Sequence, residues 1–129
     1  NQWDRTLMWL IETGSKTKEQ IADDSTSWGN YNNATFEYVN SSGSTVTKNE
    51  NSGTKIPTGN TEYTKANNIY DLAGNVYDWT MEANSAYYRV SRGGKYYGNG
   101  VSYPADGRVS YFPASSSYAY GCRSALYIK

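Results

Sequence analysis

The chain has no histidine and a single cysteine, Cys122. Without histidine it lacks the usual general base, the usual zinc ligand and any Ser–His or Cys–His pair. One cysteine permits no internal disulfide and no multi-cysteine metal site. Charge of either sign is in no excess: Lys and Arg number 12, Asp and Glu 12. That balance speaks against a phosphate-backbone partner, so no nucleic acid is expected. No apolar run approaches membrane-spanning length and no secretory leader is visible, so no membrane insertion is expected. The sequence opens on Asn1 rather than Met, which suggests an excised or processed piece of a longer chain or assembly.

What is present is tyrosine. There are 14 Tyr against 2 Phe, set among abundant Gly, Ser and Asn, and the Tyr cluster towards one end. Tyr brings large contact area at low rotamer cost, while Ser, Gly and Asn hydrogen-bond adaptably. The mixture therefore points to a binding surface. The bland alternative is an all-β protein with long polar loops. A length of 129 residues fits one domain, 1–129, with a modest core and with its first strands absent if the chain is truncated at the N terminus.

Trp3, Leu7, Leu10 and Ile11 recur at helical spacing and Gly14 is a natural stop, which predicts a first helix. A second, shorter one follows, with Ser15 or Thr17 as its cap and Glu19-Gln20-Ile21-Ala22 as its body. From Ser27 to Thr64 the chain is polar and weakly patterned. Phe36–Val39 and Ser44–Thr47 can form strands around the turn chemistry of Asn40-Ser41-Ser42-Gly43. Further on, Val76-Tyr77-Asp78-Trp79 alternates as a strand. Val90 to Tyr97 reads as another, with Gly93-Gly94 as a bulge or close backbone approach.

Three phrases organise the C-terminal half: Asp71-Leu72-Ala73-Gly74-Asn75-Val76-Tyr77-Asp78-Trp79, then Arg89-Val90-Ser91-Arg92-Gly93-Gly94-Lys95-Tyr96, then Gly121-Cys122-Arg123-Ser124-Ala125. In this order and spacing they resemble the formylglycine-generating-enzyme (sulfatase-modifying factor) family, a branch of the C-type-lectin-like fold. The resemblance is dense in this half and thin before it. It implies an α+β domain with two helices on a short antiparallel sheet, rich in loops. It also implies a core shared by Trp3, Leu7, Leu10, Val76, Trp79, Val90 and Leu126, with Arg92 and Arg123 as buried forks and Cys122 in a core position. A structural calcium ion at Asn75 and Asp78 is a further implication, since hard cations take such oxygens together with backbone carbonyls. Read from the residues alone, Asn75 caps a turn and Asp78 accepts backbone N–H groups. No other cofactor is implied with certainty.

Enzymes of that family use two cysteines placed shortly after the R-G-G-x-Y phrase, which bind copper(I) as soft thiolates. Here those places fall at Gly98 and Tyr103, and neither supplies a thiolate. Catalysis of the family type is therefore not expected, and no catalytic residue is assigned. From Tyr96 to Ile128 the chain has no Lys, Glu, Gln, Met or Trp. The variable proteins of diversity-generating retroelements, relatives of the family, have Asn codons randomised into a residue set lacking those five. A polar surface losing five residue types by chance is the competing explanation.

The function expected is ligand binding or display: receptor or surface recognition by a retroelement-diversified protein of a phage or bacterium. The partner is a protein or glycan on a cell surface, and the setting a virion or bacterial surface. Tyr97, Asn99, Val101, Tyr103, Asp106, Val109, Tyr111, Tyr118 and Tyr120 are the candidate contact residues. The alternatives are a degenerate or partner-dependent enzyme domain and a structural phage tail or spike domain.

Overall fold

The computed structural model describes residues 2–114 and 117–124. Helix α1, Gln2–Glu12, buries Trp3, Leu7 and Leu10 on one face. Each of the two leucines contributes roughly 1.5–3 kcal/mol by leaving water. Ile11, expected on the same face, is 40% exposed, because one step past Leu10 turns it away from the core. The helix stops at Gly14, whose φ of 70° only a residue without a Cβ adopts freely. Helix α2, Lys18–Ala22, starts at Thr17 with a capping box: Gln20 N–H donates to Thr17 Oγ1, and Thr17 N–H donates to Gln20 Oε1.

Strands β1, Phe36–Val39, and β2, Thr45–Lys48, pair antiparallel as the expected hairpin. Its turn is held by Asn40 Oδ1, which accepts from the N–H groups of Ser42 and Ser44. A second small hairpin joins β3, Lys65–Ala66, to β4, Ile69–Tyr70, with Asn67 in the left-handed region between them. The main sheet has four strands: β5, Tyr77–Ala83; β6, Arg89–Arg92; β7, Arg108–Tyr111; and β8, Tyr120–Gly121. Their order is β7-β6-β5-β8. The chain is thus a mixed α+β domain. The sheet is not wholly antiparallel, as expected from the sequence, because β8 runs parallel to β5. Among the described residues no helix is long and apolar enough to cross a membrane.

The core lies between α1, the loop after α2 and the segment before β5, and includes Trp28, Tyr31, Phe36, Leu72 and Ala73. Gly93 and Gly94, both with φ above 80°, end β6 rather than bulge it. A Cβ at Gly93 would meet Leu72 O at 2.9 Å, and one at Gly94 would meet Tyr103 O at 2.4 Å. The strand must therefore stop where the two backbones press together.

Several expected core positions fall elsewhere. Val90 is buried, but Val76 and Trp79 are only half-buried, and Leu126 lies outside the described residues. Trp79 packs on the tyrosine side of the sheet instead, stacked on Tyr120. Cys122 is exposed, since the pairing of β8 with β5 ends at Gly121 and the chain then leaves the sheet.

The two arginines differ. Arg92 is fully buried and donates to Asp4 Oδ1 on α1, tying helix to sheet. Arg123 retains about a third of its side-chain exposure, less burial than expected. It still acts as a fork, donating to the Asp71 carbonyl and, at 2.6 Å, to Asp78 Oδ2.

Candidate functional site

The alternation of β5 puts Tyr77 and Trp79 on one face, and the parallel β8 lays Tyr120 against them. Tyr120 stacks on Trp79 at 4.9 Å between ring centroids and on Tyr77 at 5.6 Å. Tyr111, from the edge strand β7, meets Tyr120 edge-on at 5.2 Å. Tyr103 meets Tyr77 edge-on at 6.4 Å. Beyond it, Tyr97 contacts both Tyr96 and Tyr118. Stacked and edge-to-face pairs of this kind add about 0.5–1.5 kcal/mol each beyond the area they bury.

Lys95 joins the two groups of rings. Its ammonium lies 4.4 Å from the ring centroid of Tyr97, 5.1 Å from that of Tyr103 and 5.7 Å from that of Tyr77. Tyr77 is buried and its hydroxyl has no hydrogen-bond partner. Burial pushes its phenol up, and the neighbouring phenols of Tyr103, Tyr111 and Tyr97 push it the same way. Tyr120 is raised too, first by burial and then by its hydrogen bond and proximity to Tyr111. These phenols stay neutral at physiological pH and act as hydroxyl donors and acceptors.

The loop carrying Tyr97 to Tyr103 is fixed from beneath. Asn32 N–H donates to Gly98 O, Tyr103 N–H to Asn99 O, and the buried Tyr31 hydroxyl lies 2.8 Å from Tyr103 O and 2.9 Å from Gly93 O. A Cβ placed on Gly98 would sit 2.9 Å from Tyr103 Cδ2 and 3.2 Å from Lys95 Cγ. Position 98 is therefore closed over by the Tyr103 ring and the Lys95 stem.

The model of the Sulfatase-modifying factor enzyme 1-like domain matches residues 12–128, nearly the whole chain. The chain belongs to this family. No curated protein and no solved structure matches it. Membership of the sulfatase-modifying factor family agrees with the phrases around Asp71–Trp79, Arg89–Tyr96 and Gly121–Arg123, and the family includes enzymes. Gly98 and Tyr103, the two positions where cysteines were expected from the resemblance, do come together here, as a glycine under a phenol ring. The residues present do not fit a copper(I) site, which needs soft thiolates, since the one thiol is Cys122, beyond β8.

Of the nine residues expected to form a contact face, five share the aromatic cluster: Tyr97, Tyr103, Tyr111, Tyr118 and Tyr120. Tyr97, Tyr111 and Tyr118 are exposed, whereas Tyr103 and Tyr120 are half-buried. Asn99 and Val101 are exposed on the loop, where Asn99 Oδ1 accepts from Val101 N–H. Val109 is half-buried on β7, two residues from Tyr111 and so on the same strand face. Asp106 is set apart, with its N–H donated to Ile21 O on α2. Sequence reasoning missed Lys95, Tyr96, Tyr77 and Trp79 as members of this face. The alternation of Tyr77 and Trp79 was the available signal, but it reads equally well as core.

The oxygens expected to hold calcium are differently employed. Asn75 Oδ1 accepts from Asn30 Nδ2 and Ile56 N–H, and Asn75 Nδ2 donates to Ile56 O. Asp78 faces Arg123. The carboxylate with unspent lone pairs is that of Asp71, buried with neither oxygen hydrogen-bonded. Burial raises its carboxyl above the ordinary range, against the opposing pull of the Arg123 charge. Burial likewise raises Asp78, against the opposing pull of Arg123. Among the described residues, no three acidic or thiol side chains group as a metal site.

Proposed function

We propose that this member of the family is a non-catalytic recognition domain of the C-type-lectin-like fold, presenting its tyrosine face to a ligand on a cell surface. The reading extends to a retroelement-diversified receptor-binding protein of a phage or bacterium. The observation that carries it is the closure of position 98 by the Tyr103 ring, which puts aromatic surface where the resemblance would set a reactive thiol. Exposed Tyr97, Tyr111 and Tyr118 beside that place support it, since Tyr is favoured at the centre of protein interfaces. So does the scaffold beneath, where backbone hydrogen bonds and close glycine contacts help hold the loop.

The test is a library with Tyr97, Asn99, Val101, Tyr111 and Tyr118 randomised together. Most members are expected to fold with melting temperatures near the parent's, whereas randomising Gly94 and Gly98 gives mostly insoluble protein. A library that collapses at the five surface positions overturns the display reading. In parallel, copper(I) and a cysteine-containing peptide are expected to yield no formylglycine, and its formation would restore the enzyme reading.

A further inference from the structure

Lys95 is set apart from the arginines of the C-terminal half by what surrounds it. Arg89 donates to the carbonyls of Ser85 and Tyr88, Arg92 to Asp4, Arg108 to Asp4 and Glu82, and Arg123 to Asp78 and Asp71. Among the described residues, no carboxylate or carbonyl accepts from Lys95. Its neighbours are the rings of Tyr97, Tyr103 and Tyr77, at 4.4–5.7 Å. Ring faces attract a cation and hold it in place, but they leave the N–H donors of an ammonium free for a stronger acceptor. A second observation concerns the same cluster: the ring of Tyr77 lies 5.7 Å from this ammonium, and its buried hydroxyl has no partner either.

We propose, resting on the reading of this face as a ligand site, that Lys95 recognises the carboxylate of an acidic sugar. The chemistry selects that class by elimination. A phosphate dianion is best gripped by a bidentate arginine or by several cations, and this face offers one lysine. An acidic peptide spreads several charges along its length and would meet one available cation, Arg108 and Arg123 being already paired. A uronic acid residue carries one carboxylate per ring and a face of C–H groups. Those C–H groups match the exposed rings of Tyr97 and Tyr118, 44% and 72% accessible, while sugar hydroxyls meet phenol hydroxyls. Lys95 thus sets specificity by charge, and the tyrosines supply area.

The experiment uses three probes: tri-galacturonate, its methyl ester with the charge removed and the ring kept, and tri-glutamate. Binding is read from the tyrosine ring resonances of the wild-type protein and of Lys95→Met and Lys95→Arg. Tri-galacturonate is expected to shift the Tyr97 and Tyr118 resonances. The ester and Lys95→Met should each weaken binding about tenfold or more, the scale of a hydrogen bond to a charged group, with Lys95→Arg retaining most of it. Equal affinity for the acid and its ester, or indifference to Lys95→Met, overturns the role of Lys95 while leaving the tyrosine face a ligand site. Tighter binding of tri-glutamate overturns the sugar assignment in favour of a peptide. If no probe shifts the face, the acidic-sugar inference falls, and the randomised library decides separately whether the face is a display surface.

Discussion

Among the described residues four lysines lie over aromatic rings, and two of them, Lys48 and Lys95, differ sharply in their surroundings. Lys48, at the end of β2, is 2% exposed and 5.5 Å from the Phe36 ring centroid. Its ammonium also donates to Tyr31 O at 2.7 Å and Ala34 O at 2.8 Å, so its donors are used inward. Lys95 has rings on three sides and no acceptor among the described residues. The same contrast separates the regions around them. Asn30, Asn75 and Ile56 wire the loops of the first half to the centre through buried amides. The second half turns hydroxyls and rings outward. One region uses polar groups to fix the backbone, and the other rests on that backbone and exposes rings and hydroxyls at its surface.

The contrast breaks most visibly at Lys48. Lys48→Ala leaves the Ala34 carbonyl without its lysine donor and Tyr31 O with the Ala34 N–H alone, and should cost about 2–4 kcal/mol in urea unfolding. An equal loss from Lys95→Met would show that both lysines are structural. Next is Gly98→Ala, whose new methyl must displace the Tyr103 ring and the Lys95 stem, at about 1–3 kcal/mol. A melting temperature unchanged by that substitution would mean that position 98 is open after all.

Asp71 gives a pH-dependent effect of intermediate size. Its carboxyl is raised in the folded state by burial, so the folded protein holds the proton more tightly than the unfolded chain. Stability is therefore lost as pH rises from the ordinary carboxylate value, ~3.9, through the raised one. Asp71→Asn keeps the carbonyl that Arg123 uses and suits the left-handed backbone, φ 56°, at this position. It should raise the melting temperature at neutral pH and change it little near pH ~3, where both states are protonated. A stabilisation independent of pH would assign the effect to the backbone. The smallest change is expected on the face itself. Tyr118→Ser should alter stability by less than about 0.5 kcal/mol, because its exposed ring covers little of the core.

Features set by neighbours in the chain were legible in the sequence. The capping box of Thr17 and Gln20, the hairpin turn at Asn40 and the stop at Gly14 each depend on a few adjacent residues. The tyrosine face was legible in outline, since composition names the residues that build it. What escaped depends on contacts far apart in sequence. Lys95 sits among rings from β5 and the loop to Tyr103, and nothing local distinguishes it from a solvated surface lysine. The partners of Asn75 come from residues 30 and 56, so its turn chemistry gave no hint that its amide is consumed. Trp79 and Cys122 were misplaced for one reason: the parallel approach of β8 to β5 decides which side of the sheet is covered and where the covering ends.

That parallel strand also bears on how the face behaves over time. Two residues of β8 pair with β5, and Tyr77 N–H closes the join by donating to Ala119 O at 2.8 Å. So short a strand detaches at a lower free energy than the sheet it borders, and when it does, Tyr120 leaves Tyr77 and Trp79. Affinity for anything that needs the assembled face is reduced by the fraction of molecules with β8 open. A bound ligand closes it in turn, so slower hydrogen exchange at the Tyr77 amide reports occupancy of a surface that this amide does not touch.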